Sequence, residues 1–529
     1  MRPAGRSGRG ECYNPTPFPL TGFAMQTGYE TVAAVDLGSN SFRLQIGRVV
    51  GDQIYPLDSL KEPVRLAAGL TPDKRLDGAS QLRALEALRR FGERLRGFAP
   101  GAVRAVATNT LRVARNAPDF LIEAQAALGF PVEVVAGREE ARLIYVGVAH
   151  TLPEPGRQQL VVDIGGGSTE IIVGRSFEPL ALESLYMGCV GYSLEFFPRG
   201  RLEKKGFREA ELAARRQLET IERHFREMGW ERAVGSSGTA RALLDLIELN
   251  GLGRNAITRE GLAGLRERLL RAGRLDALDL AGLRPDRVPV LPGGLAIMTS
   301  VFDVLGLEEM AFSDGALRLG VLYDLLGRYH HRDQRDATVA RFMLRHEVER
   351  SQAERVSATA AALLAQLDPA AADPEYEDAR VLAWAAGLHE IGIAIAHSGH
   401  HKHGAYILAN ADMPGFSKKE QMRLARLVLG HRGRLSRVAA LGPEERDWAL
   451  IFCLRIAALL HRSRADTGRL PVGAKATGRG FQLAVEARWL DGCPLTAAAL
   501  EEETGQWAGT GRELRLKVRH DDEHPVLAL

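Results

Sequence analysis

The chain has 529 residues, and its 69 lysines and arginines against 66 aspartates and glutamates give a formal net charge of +3. This length predicts about three or four domains of roughly 100–200 residues each, and the average proportions of hydrophobic (45%) and charged (26%) residues exclude a largely disordered, collagenous or coiled-coil chain. The scarcity of aromatic residues (6%) argues against a base-stacking nucleic-acid surface, and four cysteines without a CxxC pair argue against a disulfide framework, so we expect a protein of the reducing cytoplasm that binds no nucleic acid.

The first 28 residues combine glycine, proline, arginine and serine without periodicity. Three prolines interrupt the only candidate apolar run there, so we expect no signal peptide. We predict a disordered extension over 1–28, with Met25 as a candidate translational start. The longest uncharged apolar segment of the chain, 288–302, contains two prolines and is shorter than the roughly 18 residues that a membrane-spanning helix needs, so we also expect no membrane span.

An α/β pattern begins after this extension. Apolar residues 31–35 and the alternating segment 42–46 flank a Gly/Ser turn, which predicts a β-hairpin. The following segments predict a helix, a strand, a helix and a strand over 80–97, 103–108, 118–128 and 132–135. The first of these helices carries an apolar face made of Leu82, Leu85, Leu88 and Phe91. Alternating strands and helices indicate an α/β fold with a partly parallel sheet.

Residues 160–174 repeat the layout of the first hairpin. Asp36 matches Asp163, Gly38 matches Gly165, Ser41 matches Ser168 and Gly47 matches Gly174, at an offset of 127 residues. This offset is the length of a domain and is too long for a solenoid, whose repeats are about 20–50 residues. The repeat therefore predicts two similar α/β domains whose turns, here named the first loop (36–43) and the second loop (163–170), close on one cleft.

The composition of the two loops predicts anion binding. Glycine-rich turns let backbone N–H groups approach a phosphate, and hydroxyl and amide side chains add donors. The candidate phosphate-binding residues are Gly38, Ser39, Asn40, Ser41, Gly165, Gly166, Gly167, Ser168 and Thr169. Asp36 and Asp163 stand at strand ends, where they are candidate ligands of Mg²⁺, an ion that takes few carboxylates and keeps several waters. One such turn is most simply a structural hairpin, but two in register favour a phosphate clamp.

Three further features are candidate phosphate contacts, and the first two also have a simpler structural explanation. Gly238 lies in a glycine turn before an apolar helix, which is either an anion site or a capped helix entry. Lys204 belongs to a basic cluster at 199–205, which is either a solvated face or a lip that guides a polyanion. Arg112 follows a Thr-Asn-Thr turn.

The chain becomes helical from about residue 329. Helical spacing covers 354–367, 379–388, 419–429 and 447–460. The adjacent His389 and Glu390, together with His403 and His431, resemble the HD phosphohydrolase fold, whose metal site includes an adjacent His-Asp pair. Here Glu390 replaces the aspartate of that pair. Only Ser351 lies near the position of the fold's first histidine ligand. We expect a degenerate, non-catalytic module that extends a substrate channel or mediates dimerisation. The histidine-rich segment 397–403 is either an anion path or a plain surface loop.

The motifs around the loops, AAVDLGSNSFRL and VVDIGGGSTEIIVG, resemble the two phosphate loops of the exopolyphosphatase / guanosine pentaphosphate phosphohydrolase family, within the actin–hexokinase–chaperone ATPase superfold. The resemblance runs from about Tyr29 to the C-terminus. Further matching segments are 108–112, 137–143, 187–190, 235–239, 313–318, 389–392 and 397–408.

The resemblance implies residue roles. Glu140 matches the carboxylate that activates the attacking water, Asp163 matches the acid associated with Mg²⁺, and Glu170 matches a second catalytic carboxylate that is also a candidate metal ligand. Without the resemblance, Glu140 would be an ordinary acid at a helix N-terminus. Arg43 takes the place of Glu170 in the first loop, which suggests phosphate binding there and acid or metal chemistry in the second loop. The family also implies a homodimer.

The sequence thus predicts two duplicated ribonuclease-H-like (actin-like ATPase) α/β domains at 29–143 and 144–328, an all-α HD-like domain at 329–475 and a small α/β cap at 476–529. The expected function is that of an exopolyphosphatase, a Mg²⁺-dependent hydrolase that releases orthophosphate from the end of inorganic polyphosphate. The alternatives are a guanosine pentaphosphate 5′-phosphohydrolase, a non-catalytic regulator that binds polyphosphate or alarmones, and a sugar-kinase-like phosphotransferase. The intact set of acids argues against the regulator, because a sensor has no need of a general base.

Overall fold

A computed structural model describes residues 29–152, 156–329, 333–373, 376–465 and 471–520, and the predicted extension over 1–28 lies outside them. The chain divides into two compact units. The first contains the residues up to 334 together with 414–419, and the second contains 335–413 and the residues from 420 onward.

The first unit opens with a five-stranded mixed sheet in the order β3-β2-β1-β4-β5. Its strands are β1 (Thr31–Leu37), β2 (Phe42–Val50), β3 (Gln53–Glu62), β4 (Val103–Ala107) and β5 (Val132–Val134). Its helices are α1 (Gly78–Arg94), α2 (Asn109–Val113), α3 (Ala117–Leu128) and α4 (Gly137–Ala149). Strands β1 to β3 are antiparallel, whereas β4 and β5 run parallel to β1. The predicted hairpin and partly parallel sheet are confirmed.

The predicted apolar face of α1 is confirmed with one correction. Leu85, Leu88 and Phe91 are buried against the sheet, but Leu82 is 55% exposed. Asp77 caps the helix by accepting a hydrogen bond from the Ser80 backbone N–H, so the helix begins two residues before the predicted start.

A six-stranded sheet follows in the order β10-β11-β9-β6-β7-β8. Its strands are β6 (Gln158–Ile164), β7 (Thr169–Arg175), β8 (Glu178–Leu185), β9 (Arg232–Gly235), β10 (Ile257–Thr258) and β11 (Glu309–Phe312). The accompanying helices are α5 (Cys189–Phe196), α6 (Lys204–Met228), α7 (Gly238–Leu249), α8 (Arg259–Ala272), α9 (Leu291–Leu305) and α10 (Leu317–Tyr329).

The strands on either side of each loop pair in the same way in the two sheets. Asp36 pairs with Arg43 across β1 and β2, as Asp163 pairs with Glu170 across β6 and β7. The third strand of each meander shifts register at the matched glycines, Gly47 and Gly174. A Cβ at Gly47 would lie 2.4 Å from the Ile54 side chain, so the packing at this position leaves no room for a larger residue.

Helix α9 corrects the expectation about the apolar segment. Among the described residues, one helical stretch, Val288–Leu305, is long and apolar enough to cross a membrane by length and composition, with a mean hydropathy of 1.7. The apolar segment predicted to end at 302 continues to Leu305 at the end of α9. Pro292 does not interrupt the helix, because it lies in the first turn of α9. Because 72% of this stretch is buried inside the protein, it packs as a core helix.

The second unit is largely helical. Its helices are α11 (Gln334–Arg345), α12 (Arg350–Leu367), α13 (Glu377–Leu388), α14 (His400–Asn410), α15 (Lys418–Gly430), α16 (Ser436–Ala439), α17 (Glu445–Leu460), α18 (Ala487–Asp491) and α19 (Pro494–Ala508). A three-stranded sheet contains β12 (Val472–Thr477), β13 (Gly480–Glu486) and β14 (Glu513–Arg519). The four predicted helices are confirmed as α12, α13, α15 and α17, and β12 lies on both sides of the predicted boundary at 475/476.

Candidate active site

Both loops line one cavity of about 340 Å³ in the first unit. The predicted site residues that line it are Asp36, Gly38, Ser39, Asn40, Ser41, Arg43, Glu140, Asp163, Gly165, Gly166, Gly167, Ser168, Glu170 and Gly238. They come together because β1 and β6 end at the cavity and each strand is followed by its loop. The repeat found in the sequence is therefore a pair of turns around a common space.

The second loop leaves little room for side chains at two positions. A Cβ at Gly166 would lie 3.1 Å from the Asn40 backbone nitrogen of the first loop, and a Cβ at Gly167 would lie 2.5 Å from the side-chain oxygen of Asn109 in α2. These glycines leave backbone N–H groups within reach of a ligand, as in other anion-binding turns.

Two buried aspartates end the strands at the cavity. Burial raises the pKa of Asp36 to about 6, and the positive charges of Arg318 and Arg43 oppose this shift. Burial also raises the pKa of Asp163 to about 6, although the Ser236 hydroxyl donates a hydrogen bond to it at 2.8 Å. Asp36 Oδ1 is buried without a hydrogen-bond partner among the described residues. A carboxylate oxygen in that state favours a cation or a donor supplied by a ligand.

Glu140 lies in the first turn of α4 and is 7% exposed. Its Oε2 accepts a hydrogen bond from Arg112 Nη1 at 2.6 Å, and the same guanidinium nitrogen donates to the Val135 carbonyl at 3.1 Å. Burial raises the pKa of Glu140, while the charge and hydrogen bond of Arg112 lower it. The pair holds a carboxylate at the cavity wall in a fixed orientation.

Glu170 is the most strongly shifted acid of the group. Burial raises its pKa well above the usual value, and the charges of Glu140 and Asp163 raise it further. The Ser184 hydroxyl donates to Glu170 Oε1 at 2.7 Å. Since neighbouring carboxylates repel one another in a buried space, this acidic cluster would be stabilised by a positive ion.

The cavity also carries positive charges that sequence reasoning missed. Besides Arg43, its lining includes Lys61, Arg241, Arg284, Arg287 and Arg318. Burial lowers the pKa values of Arg43, Arg287 and Arg318, and Arg318 also donates to the Gln45 side chain at 3.3 Å. Arg318 could have been found, because it ends the 313–318 segment that carried the family resemblance. Arg284 and Arg287 lie in a loop without any motif, and only the fold brings them to the cavity.

Three predicted phosphate contacts do not line the cavity. Arg112 instead holds Glu140. The Thr169 hydroxyl is buried and donates to the Met187 carbonyl at 2.6 Å. Lys204 is exposed at the first position of α6.

The acids of the cavity fit Mg²⁺ better than a metal whose ligands must all come from protein side chains. Within the described part of the chain, no three histidine, cysteine, aspartate or glutamate side chains are spaced as a ready metal site. Mg²⁺ needs only one or two carboxylates, because waters and substrate phosphates supply the other oxygens. The unpartnered Oδ1 of Asp36 and the neighbouring Asp163 provide that number.

Comparison with known proteins gives matches along nearly the whole chain. Residues 45–329 match the Ppx/GppA phosphatase family, and residues 334–504 match Ppx/GppA phosphatase, domain III. The chain is 38% identical over 493 residues to a guanosine-5′-triphosphate,3′-diphosphate pyrophosphatase of Aeromonas hydrophila subsp. hydrophila, and 35% identical over 493 residues to a protein of the same name from Vibrio vulnificus. Each alignment covers 92% of this chain and 98% of the relative.

Among solved structures, the fold is similar to that of an exopolyphosphatase from Cytophaga hutchinsonii. The TM-score is 0.52 at 24% identity, and the match covers 56% of this chain and 97% of the other. At this identity the similarity concerns the fold alone.

Proposed function

The chain belongs to the Ppx/GppA phosphatase family, a family of hydrolases that cleave phosphoanhydride bonds, and we propose that it removes the terminal 5′ phosphate of guanosine-5′-triphosphate,3′-diphosphate. The fold is of the actin-like ATPase type found in that family, with mixed sheets and a helical C-terminal region. The observation that carries the hydrolytic reaction is that both glycine loops and the buried Glu140, which Arg112 holds by a hydrogen bond, line one cavity.

The choice of substrate is supported by the relatives. From the sequence, we expected inorganic polyphosphate as the main substrate and guanosine pentaphosphate as the alternative. The two relatives with near-complete coverage are both named for guanosine-5′-triphosphate,3′-diphosphate, which favours the alternative. Both candidates end in the same phosphoanhydride and carry several negative charges, so the basic lining of the cavity suits either.

In the mechanism we propose, Glu140 accepts a proton from the attacking water, and Arg112 keeps Glu140 oriented and ionised. Backbone N–H groups of both loops, with Arg43 and Arg318, hold the terminal phosphate and neutralise the charge on its oxygens. Asp36, Asp163 and Glu170 would hold Mg²⁺, which when bound neutralises phosphate oxygens. The leaving group is the diphosphate end of the shortened nucleotide.

We further infer that the two sheets are copies of one ribonuclease-H-like domain. The matched Asp, Gly and Ser positions and the paired register shifts at Gly47 and Gly174 support this inference. The proposal also includes domain boundaries near 143, 328 and 475 and an HD-like origin of the helical unit. We further propose that the protein is a homodimer in the cytoplasm.

The test is phosphate release from guanosine-5′-triphosphate,3′-diphosphate, long-chain polyphosphate and ATP, each with and without Mg²⁺. We expect Mg²⁺-dependent release with the highest kcat/KM for the guanosine compound. A higher kcat/KM for polyphosphate would instead support the exopolyphosphatase function. Binding of both compounds without any release would contradict a hydrolytic role for the cavity.

A further inference from the structure

A short segment from the C-terminal half of the chain belongs to the first unit. Residues Pro414–Lys419, here named the docked segment, group with the first unit, although the chain before and after them belongs to the second. Three consecutive residues of the docked segment, Gly415, Phe416 and Ser417, are buried, and Phe416 is among the largest fully buried side chains. The residues of the proposed active site do not come from this segment, so its burial in the first unit needs another explanation.

Gly415 is held through both of its backbone polar groups. Its N–H donates to Glu139 Oε2 at 2.9 Å, and its carbonyl oxygen accepts a hydrogen bond from Arg328 Nη2 at 3.2 Å. Glu139 lies in the first turn of α4 and is 3% exposed, and Arg328 lies in the last turn of α10. Hydrogen bonds to charged groups are stronger than those between neutral groups. The backbone of the docked segment is therefore fixed to α4 and α10.

These contacts close a ring of interactions. Arg142 donates to both carboxylate oxygens of Glu139 at 2.8 Å and also donates to Asp324. Arg328 Nε lies 3.5 Å from Asp324 Oδ2, one helical turn away in α10. The members of the ring are, in order, Glu139, Arg142, Asp324, Arg328 and Gly415. Helices α4 and α10 supply the four charged side chains, and Gly415 supplies the two backbone groups that complete the ring.

The conformation of Gly415 sets the direction of both contacts. The N–H and the carbonyl belong to one residue, so its two backbone dihedral angles decide how these groups are oriented relative to each other. Gly415 has a φ of +88°, a conformation that glycine adopts readily and that residues with a side chain rarely adopt. A glycine at this position therefore allows one residue to contact Glu139 and Arg328 at the same time.

Glu139 directly precedes Glu140 in the first turn of α4. Successive residues of a helix point about 100° apart around its axis, and here Glu140 lines the cavity while Glu139 contacts the docked segment. We propose that Gly415 is a positioning residue for the hydrolysis: it holds Glu139 in the ring and thereby keeps Glu140 directed into the cavity. This inference rests on the proposed function, because it assigns to Glu140 the role of the base.

The test is Gly415→Ala in the full-length protein, with kcat and KM for guanosine-5′-triphosphate,3′-diphosphate determined per folded molecule. The added methyl group disfavours the positive φ, so the contacts with Glu139 and Arg328 lose their alignment. Since a small misplacement of a reacting group can lower a rate about 100-fold, we expect kcat to fall about 10–100-fold. KM should change only a few-fold, because both glycine loops keep their places.

Gly442→Ala is the matched control. Gly442 also has a positive φ, of +59°, but a Cβ there would meet no described atom within 4 Å. Its N–H donates to the Ala439 carbonyl and not to a side chain of α4. This variant introduces the same kind of backbone strain at a different place, and we expect its kcat to match that of the wild type. Equal losses of kcat in the two variants would overturn the proposal.

Hydrogen exchange followed by mass spectrometry separates this role from a general loss of stability and does not depend on activity. In Gly415→Ala, the amides of α4 should exchange faster than in the wild type, while those of the core helix α9 should not. Unchanged exchange in α4, or equal acceleration in α4 and α9, would overturn the proposal. A wild type that released no phosphate would contradict the proposed function, whereas a normal kcat in folded Gly415→Ala would contradict only the positioning role.

A second pair of variants tests the same contact if Gly415→Ala does not fold. Arg328→Met removes the donor to the Gly415 carbonyl, whereas Arg328→Lys keeps a cationic donor. We expect kcat to fall about 10-fold in Arg328→Met, with KM nearly unchanged, and to recover in part in Arg328→Lys. Equal kcat values in Arg328→Met and the wild type, or an equal loss in both variants, would overturn the proposal.

Discussion

At the scale of single residues, the pair of Glu140 and Arg112 controls the proposed chemistry. Glu140 is buried, which raises its pKa and makes it a stronger base once it is ionised. Arg112 opposes this rise in pKa through its charge and its 2.6 Å hydrogen bond, both of which favour the ionised carboxylate. Arg112 is thus a positioning residue, although its sequence context suggested a phosphate contact.

Substitution of Arg112 should shift the pH dependence of hydrolysis. Arg112→Met removes the group that lowers the pKa of Glu140, so this pKa rises, and the base is protonated up to a higher pH. We expect the acidic limb of the pH profile of kcat/KM to move upward by about 1–3 units, the usual effect of an opposite charge at this range. Arg112→Lys keeps a positive charge beside Glu140, so its acidic limb should lie between those of Arg112→Met and the wild type.

The control for this experiment is Arg138→Met. Arg138 lies on the same helix but pairs with the half-buried Glu183, which does not line the cavity. Its loss should leave the pH profile in place. If Arg112→Met lowered activity equally at every pH, Arg112 would have a merely structural role.

Residue-scale prediction from the sequence succeeded where a local pattern existed. Both loops were found because aspartate, glycine and serine recur at fixed spacing, and they do line the cavity. Arg284 and Arg287 were missed because a lone arginine in a loop has no local signature, and its place in the cavity depends on the packing of the whole sheet. Lys204 lies exposed at the start of α6 and outside the cavity lining, so its role as part of a lip that guides a polyanion stays a prediction.

At the scale of elements, α4 is held against α10 by unusually close backbone packing. A Cβ at Gly320 would lie 1.7 Å from the Leu143 carbonyl oxygen, and a Cβ at Gly147 would lie 2.2 Å from the Ala316 carbonyl oxygen. Beside this contact, Asp324 accepts hydrogen bonds from Arg104 and Arg142. Since α4 carries Glu140, the position of the proposed base depends on this helix pair.

The substitution Gly320→Ala should therefore reduce both stability and activity. The added methyl group meets backbone atoms that cannot rotate away, and overpacking of this kind typically costs about 1–3 kcal/mol or more. We expect a lower midpoint of urea unfolding and a lower kcat, because α4 must move and takes Glu140 with it.

Gly191→Ala in α5 is the matched control. A Cβ at Gly191 would meet no described atom within 4 Å, and alanine is favoured over glycine in a helix by about 0.5–1 kcal/mol. This variant should be as stable as the wild type or slightly more stable, with unchanged kcat. Equal effects of the two substitutions would contradict the role assigned to the helix contact.

The elements themselves were largely predictable from periodicity. Strand β1, helix α1 and the four predicted helices of the second unit were found because alternation and helical spacing are local properties. The short strand β12 was missed, since its residues VGAKAT carry little apolar alternation and it is fixed by antiparallel pairing with β13. The span of α9 was underestimated because a proline in the first helical turn was taken as an interruption.

At the scale of the whole molecule, the chain combines a unit with two mixed sheets, which contains the candidate active site, with a second, largely helical unit. The site belongs entirely to the first unit, and its residues come from segments between positions 36 and 318. The sequence predicted the phosphate chemistry from the repeated loops. It did not decide the substrate, because in the proposed mechanism the loops would hold only the terminal phosphates, which both candidate substrates share.

The measurement that tests the central claim most directly is single-turnover hydrolysis by Glu140→Gln, with substrate binding followed in parallel. If Glu140 is the base, the substitution should slow phosphate release from guanosine-5′-triphosphate,3′-diphosphate by about 10²–10⁴-fold and change its affinity only a few-fold. Glu183→Gln, which alters an acid outside the cavity lining, should match the wild type. A Glu140→Gln enzyme that hydrolysed the compound within tenfold of the wild-type rate would contradict the account.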